Sequence, residues 1–159
     1  MAGLVFTPEL YKVGINYVGL SDIARWGLLQ GFRNRNKVSQ QSIARRWLNP
    51  DTEKKEIGAV SPINFIKNIQ VPSLHAYGRY DPRVTIDQGE VLKDELKKHG
   101  KNFKFIEVEN EGHGFNKFEN KIAFYGEMDA FLKQYMPVEN AAGVKVGPTK
   151  VIQMPAKTN

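Results

Sequence analysis

Residues 71–115, VPSLHAYGRYDPRVTIDQGEVLKDELKKHGKNFKFIEVENEGHGF, switch twice between the periods that separate strand from helix. Val71 to Tyr77 is a short apolar run begun at Pro72, and Phe103 to Glu109 is rich in aromatic and β-branched residues, so both predict strands. Between them, Val91, Leu92 and Leu96 recur at helical spacing within Ile86 to His99, with Thr85 as N-cap and Gly100 as the C-terminal stop. Strand, helix, strand in this order is the unit of a parallel sheet with a right-handed crossover. Each strand runs out into a loop, Gly78 to Val84 after the first and Glu111 to Phe115 after the second.

Upstream, Lys12 to Val18 (KVGINYV) places Val13, Ile15 and Tyr17 on one face and reads as a further, mostly buried strand. Gly19 opens a long loop. Regular text resumes at Ser61-Pro62 with a short amphipathic piece carrying Ile63, Phe65, Ile66 and Ile69. Downstream, Ile122, Tyr125, Met128, Phe131, Leu132 and Tyr135 mark one face of a helix that Pro137 ends. The fold class is therefore α/β, with parallel strands flanked by helices. Three strands and two firm helices are few for strands that are normally buried on both faces, so the chain is expected to be part of a larger fold.

The composition fits that class. The 159 residues are 41% hydrophobic and 25% charged, the range of soluble globular chains. No run approaches the roughly 18 apolar residues of a membrane span, and the opening residues lack the basic-then-apolar order of a signal peptide. The text thus predicts a soluble chain and leaves its compartment open between cytoplasm and periplasm or exterior. The absence of cysteine excludes disulfides, thiolate zinc sites and a cysteine nucleophile. The net charge of +6 is local: residues 33–56 hold seven basic and three acidic groups, and the tail 138–159 holds three basic and one acidic. Trp47 is the only aromatic in the basic stretch, which argues for a solvated insertion rather than a nucleic-acid surface. The tail has glycines and prolines without apolar period and reads as extended or disordered.

In open α/β sheets the working side chains sit on loops at the carboxyl ends of strands. Asp81 and His113 occupy two such loops, in the chain order of the acid–base half of a Ser-Asp-His system. The carboxylate would fix the imidazole tautomer, and the other ring nitrogen would take a proton from a serine. Each also has a plain reading, Asp81 as a turn aspartate before Pro82 and His113 as a turn residue between glycines. His75, in an apolar strand, is expected to be a hydrogen-bonded core residue, and His99 favours a helix C-terminus. Asp22, Asp87, Glu107, Glu109 and Glu111 read as loop and strand-face charges. No metal-ligand spacing, Gly-x-Gly-x-x-Gly or phosphate loop occurs, so neither metal nor cofactor is expected.

GRYDPRVTIDQGEVLKDEL followed by FKFIEVENEGHGF, with VSPINFIKNIQVPSL before them, resembles the carboxyl-terminal catalytic region of the prolyl oligopeptidase family of serine peptidases. FTPELYK from Phe6, then Gly14-Ile15 and Gly19-Leu20-Ser21-Asp22, is similar to the text that follows the nucleophile helix there. The resemblance spans about residues 1–137 and implies an α/β-hydrolase fold, a catalytic aspartate at Asp81, a catalytic histidine at His113 and oligopeptide substrates. The family's Gly-x-Ser-x-Gly-Gly elbow is missing, since Ser21, Ser39, Ser42, Ser61 and Ser73 all lie in other contexts. The resemblance therefore implies the C-terminal part of a catalytic domain, inactive by itself, whose open sheet would take the missing N-terminal part or a second copy. Residues 33–56 would form an insertion at the active-site rim or an oligomer contact through Arg45 and Arg46. An esterase of the same fold and a non-enzymatic binding module are the alternatives; neither nucleic acid nor membrane is an expected partner.

Overall fold

The computed structural model describes residues 1–26, 35–46 and 48–137. The tail and, within the basic stretch, Arg33, Asn34 and Trp47 lie outside them. Helix α1 (Ala2–Phe6) and a 3-10 turn (Pro8–Leu10) lead into strand β1 (Gly14–Tyr17). Within the long connection to β2 (Ser73–Gly78), the described residues include helices α2 (Lys37–Arg46) and α3 (Lys54–Val60) and a kinked 3-10 segment (Pro62–Asn68). Helix α4 (Ile86–Lys98), strand β3 (Phe103–Val108) and helix α5 (Phe118–Tyr135) follow. The sheet is parallel in the order β1-β2-β3, with His75 opposite both Asn16 and Phe105.

Every residue of β2 is buried, as a central strand with helices on both sides requires. On one face Tyr77 packs with Val5, Ile66, Leu92 and Leu96 from α1, the 3-10 segment and α4. On the other, Leu74 and Ala76 meet Phe115 and the Phe124 and Phe131 side chains of α5. Leu92 and Leu96 are wholly buried, each worth about 1.5–3 kcal/mol of transfer free energy. Helix α4 ends as its sequence indicates: Gly100 takes φ 59°, with Gly100 N–H on Lys97 O and Lys101 N–H on Leu96 O, both at 2.9 Å. Thr85 flanks α4 without a side-chain cap to the backbone; its hydroxyl turns instead to Asp87.

Helix α5 differs from the sequence-based face. Phe124, Met128, Phe131 and Tyr135 face the sheet, whereas Ile122 and Tyr125 are 57% and 59% exposed. The reason is that α5 carries apolar residues around much of its circumference, so the sheet selects one stripe and leaves a second uncovered. Strand β1 is likewise open. The N–H groups of Gly14, its first residue, and of Val18, just past its end, bond Pro72 O, just before β2, and Ala76 O within it, which turns the backbone of Val13, Ile15 and Tyr17 to an edge that no strand among the described residues pairs.

Two buried polar assemblies hold the sheet to its surroundings. The fully buried Gln88 of α4 accepts from Ser21 N at 3.1 Å and Asp22 N at 2.9 Å, and donates to Asp22 O at 2.8 Å. It thereby pins the start of the long connection. Across β1 and β2, the Asn16 amide donates to Tyr77 Oη at 2.9 Å and to His75 Nδ1 at 3.3 Å. The ring proton is then assigned to Nε2, which donates to Ser73 Oγ at 2.8 Å. His75 is thus the hydrogen-bonded core histidine its strand context indicates. Burial pushes its pKa down to about 3 from the ordinary 6.5.

Two outcomes follow. Gln88→Ala removes the partners of buried donors and is expected to lower stability by about 2–3 kcal/mol, read as a drop in the urea midpoint. For His75 the folded-state pKa is the lower one, so the unfolded chain binds the proton first. Its contribution to stability is whole above about pH 6.5 and drains as the pH falls towards 3. His75→Gln should flatten the dependence of unfolding free energy on pH across that window; the same slope in both proteins would assign it to other groups.

Candidate active site

Because β2 and β3 are parallel neighbours, both run out at the same edge of the sheet, and their loops emerge side by side. The first loop makes its own aspartate rigid. Asp81 Oδ1 accepts from Arg83 N at 2.8 Å and Val84 N at 2.9 Å, an Asx-type turn, while the buried Val84 side chain anchors the loop in the core. Its Oδ2 lies 2.8 Å from His113 Nδ1. The Asp81 side chain has 0% exposure and that of His113 has 33%. The carboxylate is thus withdrawn from water with three donors around it, and the ring keeps Nε2 as its second nitrogen. The structure brings together the two residues singled out from the sequence, and it leaves His75 and His99 elsewhere. His99 closes α4, with Nε2 3.5 Å from Glu95.

Two further residues have roles at this site that their sequence context does not show. Gly78 ends β2 directly beneath the histidine loop: a Cβ there would lie 2.4 Å from Gly112 O and 2.6 Å from Glu111 O. Main chain rests on main chain at this point, and only glycine permits it. Glu111 is a correction. It lies in the loop, as its sequence indicates, but it is not a plain loop or strand-face charge like Glu107 and Glu109, which pair with the exposed Arg79; it is 3% exposed. Its carboxylate accepts from Asn116 N at 2.6 Å, Lys117 N at 2.8 Å and Asn120 Nδ2 at 2.8 Å. Burial by itself would raise its pKa, but these bonds and the Lys117 charge outweigh it and bring the carboxyl below its ordinary value. The only hint in the text was its place before a glycine-rich turn.

Beyond His113 the loop adopts left-handed backbone at Gly114 (φ 92°) and Phe115 (φ 39°). The Phe115 ring, fully buried, is held edge-on by Tyr17 at 5.0 Å and Phe124 at 5.4 Å. On the other side, Trp26 Nε1 donates to Arg83 O at 3.2 Å, tying the root of the long connection to the aspartate loop. Among the described residues no cluster of acidic, histidine or cysteine side chains could hold a metal ion, and no helix is long and apolar enough to cross a membrane.

The model of the prolyl oligopeptidase family matches residues 1–139. The chain belongs to that family. A dipeptidyl aminopeptidase BIII of Pseudoxanthomonas mexicana is 29% identical over 84% of this chain and 19% of its own length. A dipeptidyl peptidase family member 6 of Caenorhabditis elegans is 24% identical over 84% of this chain and 18% of its own. The chain thus spans about a fifth of the length of the curated relatives it matches, and these homologues are serine peptidases. Among solved structures, the puromycin-hydrolyzing peptidase of Mycobacterium tuberculosis superposes with a TM-score of 0.68 at 23% identity, covering 84% of this chain and 20% of that one. The acylaminoacyl peptidase of Pyrococcus horikoshii does so with 0.67 at 19%, covering 87% and 22%. These neighbours carry the α/β-hydrolase fold, which the sheet and its helices share.

Gly78→Ala is expected to separate the two loops. Relieving the contact should cost about 1–3 kcal/mol in urea denaturation and break the His113–Asp81 hydrogen bond, observed as loss of the Nδ1–H tautomer in imidazole 15N spectra.

Proposed function

We propose that this chain supplies the aspartate and histidine of a Ser-Asp-His triad in a serine peptidase acting on oligopeptides, with the nucleophilic serine on polypeptide outside these 159 residues. The observation that carries the proposal is the 2.8 Å contact between His113 Nδ1 and a wholly buried, loop-oriented Asp81 carboxylate. Such a carboxylate holds the proton on Nδ1 and stabilises the imidazolium when it forms. Nε2 then removes the proton of the serine hydroxyl as its oxygen attacks the peptide carbonyl. The tetrahedral intermediate collapses to an acyl-enzyme while Nε2–H protonates the departing amine. Water repeats the sequence in the second half, with His113 again as base and then acid.

No Gly-x-Ser-x-Gly elbow is present in the sequence, and the buried Ser21, Ser61 and Ser73 are engaged in structural hydrogen bonds. Two surfaces are suited to a companion carrying the elbow. The edge of β1 offers the backbone of Ile15 and Tyr17 for a parallel strand, and α5 offers Phe118, Ile122 and Tyr125, each more than half exposed. The companion is the remainder of the same enzyme, consistent with the share of its relatives that this chain spans.

The purified chain should hydrolyse neither chromogenic peptide amides nor esters. Combined with, or fused after, a segment supplying the serine elbow and the preceding strands, it should turn over peptide substrates. Asp81→Asn in that assembly should then lower kcat by about 10⁴. Robust turnover by the chain alone would defeat the proposal, and hydrolysis of esters with no amide cleavage would reassign the enzyme as an esterase.

A further inference from the structure

We infer that Glu111 is a positioning residue for the Asp81–His113 pair, acting through the backbone arc 111–117 from which the imidazole projects. The inference rests on the triad reading for its purpose, but its observations are separate from it. Glu111 is bonded at both ends. Its carbonyl accepts from Tyr80 N, next to Asp81, at 2.9 Å. Its carboxylate, five and six residues short of its backbone partners, closes on Asn116 N at 2.6 Å and Lys117 N at 2.8 Å. One residue therefore joins the aspartate loop to the entrance of α5 and turns the intervening chain into a closed ring with His113 near its apex.

The ring needs such a fastening. Lys117, at the N-cap position of α5, provides no side-chain cap, and Glu111 takes up the N–H groups of Asn116 and Lys117 at the entrance of the helix. Two consecutive residues in the arc, Gly114 and Phe115, have left-handed backbone, a conformation that a phenylalanine keeps only where its surroundings over-determine it. The Phe115 ring fixes one side of the arc among Tyr17 and Phe124, and the Glu111 carboxylate fixes the other. Asn120, one turn into α5, donates to the carboxylate at 2.8 Å and to Asn110 Oδ1 at 3.1 Å, so the fastening also reaches the residue before it. A buried carboxylate with three donors is committed to this geometry. Replacing it with an amide of the same shape removes the charge, leaves one acceptor and turns an N–H₂ group towards other donors.

The test uses the full chain and reads the tautomer of His113 from its imidazole 15N shifts, with Asp81→Asn as the reference for a ring released from its partner. The wild-type ring should be in the Nδ1–H form. In Glu111→Gln it should move to the reference tautomer, with amide protection at Asn116 and Lys117 falling by about tenfold or more and that of Leu74 and Ala76 in β2 retained. Lys104→Ala, which breaks an ion pair between β3 and Glu127 of α5 without touching the arc, should leave the tautomer as it is. A wild-type tautomer in folded Glu111→Gln overturns the inference. If that variant does not fold, Asn120→Ala decides: a partial move towards the reference supports the role, and no move overturns it. Failure of the triad reading would look different, as no hydrolysis by the assembled enzyme while Glu111→Gln still releases the ring.

Discussion

The Asp81 carboxylate has no contact with water, and the arrangement around it follows from that condition. A buried negative charge persists only where donors replace its hydration. Two of these donors are amides of its own turn, which can reach it because Val84 pulls that turn into the core. The third is the His113 ring, which belongs to another loop and has to be delivered. Parallel pairing of β2 with β3 delivers the loop, the missing Cβ of Gly78 lets it descend, and Phe115 and Glu111 hold it down. Sheet topology, one glycine, one aromatic anchor and one buried acid thus converge on a single hydrogen bond.

The sequence displays the parts of this arrangement that obey local rules. Strand periods, the stop at Gly100 and the loops that carry Asp81 and His113 are all local, and their order implies parallel neighbours. What was hidden depends on contacts between distant residues. Glu111 continues the alternation of Glu107 and Glu109, and nothing nearby in the text separates a strand-face acid from one folded under a helix end. Asn16 looks like any polar residue in a strand until the register sets it opposite His75 and near Tyr77. The face of α5 was ambiguous because its apolar residues exceed what one sheet can cover.

The two faces of the sheet differ in kind. The face under α1 and α4 contains the Asn16–His75–Tyr77 assembly and the Gln88 clamp, where directional bonds select one register and one loop path. The face under α5 is almost wholly apolar, packed with aromatic rings at centroid distances of 4.5–5.4 Å. Directional bonding therefore specifies the framework of the long connection, while the helix that follows the histidine loop is held by non-directional packing and by the Glu111 fastening at its start.

The contact at Gly78 has a consequence for how such a chain can diverge. Where two loops are spaced by side chains, each exchange of one residue for another resets their separation. Here backbone meets backbone, so the separation does not hang on the length of any side chain. Superposition on peptidases only 19–23% identical in sequence shows how far the surrounding text can drift within one fold. A spacer made of nothing but backbone cannot be worn away by substitution; it can only be obstructed, at the one position where a side chain would have to be added.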